Sequence, residues 1–279
     1  MRKALIAAGG LALALTLGGC GDNGIGGTAS PVFDNAQSLV AEAKEKTTDA
    51  ETSKFTFEMD VAGQKMTGNG AGRYEAGNSA MSMTMDMGGQ QTEMRFVGNT
   101  MYFKMPGGMP GMDPNKPWVK ITAGGDDPLS KMLGEMDQLI EQNDPSKILE
   151  QIGKAGTITE SGETQLDGQD ATHYKINLEL AKMADQLPAG MTQDSLKQLE
   201  KSGVKSMPIE LWLNSENLPM QFVMDMTELT KAVSEQSGGA APAGRSVMTM
   251  KYSDWGAPVD VAVPPADQVS DFQMPAKPN

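Results

Sequence analysis

The sequence predicts one α+β domain in which amphipathic helices lie between two tracts of antiparallel strands. Three observations carry this. Tracts early and late in the chain alternate apolar and polar residues with a period of two, as strands with one solvated face do. Between them, apolar residues recur at helical spacing behind Asp-Pro start signals. From residue 33 onward no change in composition marks a second domain. At 39% hydrophobic and 21% charged, the 279 residues carry enough apolar matter to fold. One cysteine excludes a disulfide framework and a cysteine-rich zinc site, and one histidine excludes sites that need two. The net charge of −13 leaves no basic field for nucleic acid.

The first element is an address. Arg2 and Lys3 precede an apolar run from Ala4 to Leu17, too short to span a bilayer but of signal-peptide length. It ends in Leu17-Gly18-Gly19-Cys20, which resembles the lipobox of bacterial lipoproteins. That resemblance implies a signal peptide over 1–19, cleavage before Cys20 and acylation of Cys20 (palmitate among the chains), which would hold the protein at the cell membrane on its extracytoplasmic side. Each buried CH₂ of an acyl chain contributes about 0.8 kcal/mol, so two or three chains hold firmly. Residues 20–32 then form the acylated cysteine and a Gly-rich tether, whose ten residues from Gly21 to Ser30 reach roughly 17 Å. Residues 33–279 form a single domain. Cleavage removes two basic residues and no acidic ones, so the acidic excess grows and anionic headgroups repel the domain.

Phe33 to Lys46 has Phe33, Ala36, Val40 and Ala43 at helical spacing. Alternation follows: Phe55, Phe57, Met59 and Val61; then Met81, Met83, Met85 and Met87; then Met94 and Phe96; then Met101, Phe103 and Met105. Turn signals at Ala76-Gly77-Asn78, Gly88-Gly89 and Gly98-Asn99 make this half an antiparallel meander. Asp127-Pro128 opens a helix with the stripe Leu129, Met132, Leu133, Met136, Leu139 and Ile140. Asp144-Pro145 opens a second helix with Ile148, Leu149 and Ile152. Strands Thr157–Leu166 and Thr172–Leu178 flank an Asp167-Gly168 turn, and short helices fit Glu179–Gln186 and Thr192–Lys201. Ile209, Leu211 and Leu213, then Met220, Phe222, Met224 and Met226, restore the sheet. Ser234 to Gly244 is a low-complexity hairpin loop, Val247 to Trp255 a further strand, and the proline-bearing tail from Pro258 runs extended along the sheet.

Pro208-Ile209-Glu210-Leu211-Trp212-Leu213 with Leu218-Pro219, the phrase Tyr252-Ser253-Asp254-Trp255-Gly256-Ala257-Pro258-Val259-Asp260, and Pro264-Pro265-Ala266-Asp267 add to the lipobox. In this order the chain resembles the actinobacterial envelope lipoproteins of the LppX/LprG type, relatives in shape of the LolA and LolB carriers. The resemblance covers most of residues 33–275 and rests on structural phrases. It implies a curved antiparallel half-barrel with amphipathic helices covering its concave face. It also implies a cavity that in some members holds acyl chains of lipids or glycolipids, and it carries over no catalytic motif.

The methionines admit three readings. They fill a core, or they line an apolar cavity, where an unbranched, polarizable side chain suits ligands of variable shape. Alternatively, Met105, Met109 and Met112, in a Gly/Pro loop, bind Cu(I) through soft thioethers. The cavity reading takes Phe57, Met59, Met81, Met83, Met85, Met94, Phe96, Met101, Phe103, Phe222 and Met224 as wall, and Leu129, Met132, Leu133 and Met136 as lid. Which strand face is concave stays open. His173 reads as an ordinary surface histidine, Asp126-Asp127 as a helix cap, and the glycines of Gly68-Asn69-Gly70-Ala71-Gly72 as turns. The expected function is therefore a lipid-anchored protein that binds acyl chains of a lipid or glycolipid and carries them across the envelope, with a membrane export partner and no cofactor. The alternative is an envelope sensor or assembly factor that uses the same fold for a protein partner. No enzyme is expected.

Overall fold

Tight turns dictate most of the topology. Ala62-Gly63, Gly88-Gly89 and Asp167-Gly168 each place two consecutive residues at positive φ, the turn geometry that matches strand twist in a hairpin. In the computed structural model, residues 32–75, 78–104, 113, 115–122, 144–183, 193–236 and 244–271 are described. The first meander comprises β1 (Thr52–Val61), β2 (Gln64–Arg73), β3 (Ala80–Met87), β4 (Gln90–Val97), β5 (Thr100–Lys104) and β6 (Trp118–Thr122). The second comprises β7 (Gly156–Leu166), β8 (Gln169–Glu179), β9 (Ser206–Leu213), β10 (Pro219–Asp225) and β11 (Ser246–Ser253), and a short β12 (Val269–Asp271) ends the described chain.

All twelve belong to one sheet, ordered β12-β6-β5-β4-β3-β2-β1-β11-β10-β9-β8-β7. The two meanders are joined where β1 pairs with β11, with Phe55 opposite Tyr252, Phe57 opposite Met250 and Met59 opposite Met248. Pairing is antiparallel throughout except for β12, which lies parallel to β6. A twisted open sheet of this width curls, and the result is a curved half-barrel that does not close.

Four α-helices are described: α1 (Ala36–Ala50), α2 (Pro145–Ala155), α3 (Gln193–Lys201) and α4 (Thr227–Gln236). Asn35 caps α1 by accepting from the Ser38 N–H at 2.9 Å, and Asp144 caps α2 by accepting from the Ser146 N–H at 2.8 Å. Leu39, Val40 and Ala43 of α1 and Ile148, Leu149 and Ile152 of α2 share one core with Tyr174, Ile176, Ile209, Leu211 and Phe222 of the sheet. An ion pair between Lys44 and Glu150 ties the two helices together. The Phe33 N–H donates to the Tyr174 hydroxyl at 3.2 Å and fixes the entry to α1.

Several expectations need adjusting. The first helix starts three residues later than its apolar spacing suggested and runs to Ala50, because Asn35 is the cap. The glycines of residues 68–72 are not turns. They sit inside β2, where alternation is hidden because one of its faces carries glycine instead of an apolar side chain. The helix expected at Glu179–Gln186 is a 3₁₀ turn over Leu180–Met183, with residues 184–192 outside the described set. Helix α4 and strands β2, β6 and β12 are additional to the expected elements, and α4 occupies Ser234–Gln236 of the expected hairpin loop, whose residues 237–243 lie outside the described set. The Leu129–Ile140 helix, with Leu129, Met132, Leu133 and Met136, and the Asp126-Asp127 cap lie outside the described residues. So do Cys20 and Met105, Met109 and Met112.

As far as Asp271, where the described residues end, the tail runs extended apart from a 3₁₀ turn over Ala266–Gln268. After Trp255 it crosses the polar face of the first meander, where the Ser82 hydroxyl donates to the Asp260 carbonyl at 3.3 Å and Arg95 to the Ala262 carbonyl at 2.7 Å. Val261 and Pro264 are buried, and the Arg95 guanidinium also lies 5.2 Å from the centre of the buried Trp118 ring. Beyond them β12 pairs with β6, which covers that edge of the sheet.

Candidate functional site: a methionine-rich face

Residues directly opposite in neighbouring strands share a face, so the register shows which side chains stand together. One row runs Ile121–Met101–Phe96–Met81–Gly72–Ser53 from β6 to β1. The next runs Val119–Phe103–Met94–Met83–Gly70–Phe55 and continues to Tyr252 of β11. A third contains Met85, Gly68, Phe57, Met250, Phe222, Leu211 and Tyr174. A fourth contains Met66, Met59, Met248, Met224, Ile209 and Ile176. Every wall residue proposed from alternation on β1, β3, β4, β5 and β10 therefore lies on one continuous face. It is the face on which α1 and α2 pack.

Burial divides this set. Met81, Phe96, Met101 and Phe222 are buried and belong to the closed core. Phe57, Met59, Met83, Met85, Met94, Phe103 and Met224 are half-buried, as are Met66 and Met248, which alternation did not single out. The buried row lies at the end of the sheet where β1 begins, and the half-buried group lies toward the end where β1 turns into β2.

Aromatic rings close the first end. Tyr74 stands 6.4 Å from Trp255, which stacks on Tyr252 at 5.6 Å, and Tyr252 meets Phe222 edge-on at 5.9 Å. The Trp255 indole N–H donates to the Pro219 carbonyl at 2.9 Å, and the Ser53 and Tyr74 hydroxyls are 2.8 Å apart. Burial pushes the Tyr74 and Tyr252 phenols well above their usual range, and raises the carboxyl of Asp144, whose charge in turn acts on both phenols.

Glycine lowers the middle of the face. A Cβ at Gly68 would collide with the Phe57 ring, one at Gly70 with the Phe55 ring and the Ser82 carbonyl, and one at Gly72 would lie 2.6 Å from the Tyr74 ring. The rings thus lie across the backbone of β2. Strand glycines covered by aromatic rings from a neighbour also allow a sheet to bend.

His173 lies on the opposite, polar face. Its Nε2 is 2.8 Å from Glu210 Oε2 and its ring stacks on Trp212 at 4.2 Å, so it is a satisfied surface histidine, as expected. That face also carries a groove of about 280 Å³ lined by Lys54, Asn69, Ser82, Thr84, Glu93 and Arg95, beside the tail. The groove is polar and its cations are engaged: Lys54 with Asp254, and Arg95 with the Ala262 carbonyl. Among the described residues no group of three His, Cys, Asp or Glu could hold a metal ion, and no helix is long and apolar enough to cross a membrane.

No protein-family model matches the chain. An uncharacterised 31.2 kDa protein encoded between rplA and rplJ in Streptomyces griseus is 22% identical over 204 residues, which is 72% of this chain. The chain spans 63% of the length of that curated relative. Among solved structures, LprF from Mycobacterium bovis superposes with a TM-score of 0.48 at 16% identity, covering 82% of this chain and 96% of that one. The Pseudomonas aeruginosa MucA/MucB complex gives 0.37 at 14% identity, covering 81% and 59%.

Proposed function

We propose that this chain is a lipid-anchored envelope lipoprotein that shelters acyl chains of a lipid or glycolipid on the methionine-rich face of its half-barrel and carries them between membrane and envelope. The observation that supports this most is the half-buried group Phe57, Met59, Met83, Met85, Met94, Phe103, Met224 and Met248. It is contiguous through the register and bordered by a closed core. Aliphatic chains are held there by area alone, at about 25 cal/mol per Å² of apolar surface removed from water. Leaving a bilayer costs a chain about 0.8 kcal/mol per CH₂, close to what an equally dry protein face returns. Transfer in either direction is then nearly isoenergetic, which suits a carrier. The unbranched thioethers adapt to chains of different length and unsaturation. The lipobox resemblance places the anchor at Cys20 after removal of residues 1–19, with residues 33–279 as one domain held by the tether. The reading assigns no catalytic residue and no cofactor.

Lipid extraction of the full chain purified from membranes, followed by mass spectrometry, tests this. Stoichiometric acyl lipid is expected beyond the acyl groups on the anchor. Met83→Trp with Met94→Trp, which fills the face with rigid rings, should lower it several-fold while the circular dichroism spectrum stays unchanged. Repeated recovery without lipid would remove the carrier reading. Cys20→Ala should separately abolish incorporation of labelled palmitate. A second reading, docking of a protein partner, is favoured by one feature. The eleven-residue edge strand β7 has no partner along its outer side among the described residues, and such an edge can accept an added strand. Protection of β7 amides from hydrogen exchange by a co-purifying protein, with lipid absent, would establish it instead.

A further inference from the structure

The fourth row of the apolar face has an unusual composition. Met66, Met59, Met248 and Met224 stand directly opposite one another on β2, β1, β11 and β10, so four adjacent strands present four thioethers in one line. Farther along the same row the residues change to Ile209 and Ile176, each 1% exposed. The methionines are half-buried. Isoleucine would serve bulk hydrophobicity equally, so four thioethers in one line are a chemical feature of this row in their own right.

From this row we infer a binding site for a soft monovalent d¹⁰ ion, Cu(I), with Met59 and Met248 as central ligands and Met66 or Met224 completing an all-thioether set. Opposite residues hold their Cβ atoms about 4.5–5.5 Å apart. Three rotatable bonds per side chain let neighbouring sulfurs converge from there on one ion. Thioethers are neutral and soft: they select Cu(I) and offer little to Zn(II) or Cu(II), which favour imidazole and carboxylate. Phe57 lies one step along on the same face of β1, and Ile209 follows Met224 in the row. Neither supplies a hard ligand; on the other side of the row the same face carries Val61, Gln64 and Ser246, so thioethers are the soft donors of this stretch of the sheet. The chain's net charge of −13 favours the approach of any cation. The site is separate from Met105, Met109 and Met112, and it does not rest on the lipid reading.

Anaerobic titration of the full chain with Cu(I) against a chromophoric Cu(I) chelator tests it, with Ag(I) as a redox-inert probe. One equivalent should be held against the chelator, with a first shell of sulfur alone by X-ray absorption and no competition from Zn(II). Met59→Leu and Met248→Leu conserve volume, and each should weaken binding roughly tenfold or more. Their combination should abolish it with the melting curve little changed. Met83→Leu, and Met105→Leu with Met109→Leu and Met112→Leu, should bind as the parent does, and so should Cys20→Ala, which removes the one cysteine sulfur. Failure of the parent chain to hold Cu(I), nitrogen or oxygen in the first shell, or loss of binding in any of the three control variants would overturn the site. Lipid content is read in the same samples, so a lipid-free protein that binds Cu(I), or the reverse, separates the two proposals.

Discussion

Gly70 has the geometry of a residue chosen for what it lacks. In most strands, replacing glycine by alanine stabilises by narrowing the unfolded ensemble. Here the new Cβ would meet the Ser82 backbone carbonyl, which no rotamer change relieves, and the Phe55 ring. Gly70→Ala should therefore destabilise by about 1–3 kcal/mol in chemical denaturation; a variant as stable as the parent would show that β2 can shift to admit it. Asp144 gives a second prediction at this scale. Its burial raises the carboxyl pKa above the unfolded value, so the folded state binds the proton more tightly. The stability this supplies is present below the unfolded pKa and is lost as pH rises through the folded one. Asn is an equally good cap and carries no charge, so Asp144→Asn should be neutral or stabilising at pH 7. Asp144→Ala removes the acceptor for the Ser146 N–H and should cost about 1 kcal/mol. Melting temperatures of both variants across pH 4 to 8 check the pair.

Among the elements, the tail from Asp254 to Asp271 is the one whose role is easiest to isolate. It buries Val261 and Pro264, accepts from Ser82 and Arg95, and pairs with β6 through three residues. Truncation after Ala257 should raise hydrogen exchange in β4, β5 and β6 while leaving β8 and β9 protected. It should also promote self-association through the bared β6 edge. Equal loss of protection in both meanders would mean that the tail stabilises the whole sheet and not its edge. Helices α1 and α2 illustrate a different principle. They pack on β7 and β8 and on each other through Leu39, Val40, Leu149 and Ile152. Among the described residues these helices lie over β7 and β8 of the second meander, where isoleucine and leucine face them.

At the scale of the molecule, the two meanders depend on each other through β1 and β11, strands from opposite ends of the chain. One core contains Met81, Phe96 and Ile121 from the first meander and Ile176, Leu211 and Phe222 from the second. Thermal unfolding should accordingly be a single transition with equal calorimetric and van't Hoff enthalpies, and two resolved transitions would divide the chain into separate units. Pairing of such distant strands also predicts refolding in milliseconds to seconds, slower than a helical protein of this length.

The sequence by itself determined which residues share a face. Phe57 and Met59, the odd-numbered run Met81 to Met85, Met94 and Phe96, and Phe222 and Met224 are phased by the strict two-residue period of extended chain, a local property of the backbone. Asp144-Pro145 likewise announced α2, because capping is decided within one turn of helix. Strand β2 is not legible in the sequence because Gly68, Gly70 and Gly72 erase the apolar half of its alternation, and the rings that replace their side chains come from Phe55, Phe57 and Tyr74. Only the tertiary structure separated Met81 and Met101, which are core, from Met59, Met83, Met94 and Met248, which are half-open. Burial at a given position depends on what crosses above it, and that follows from the joining of β1 to β11 and the seating of α1 and α2 on distant strands. No local pattern encodes those contacts, so the same residue in the same alternation serves as core in one row and as candidate ligand surface in the next.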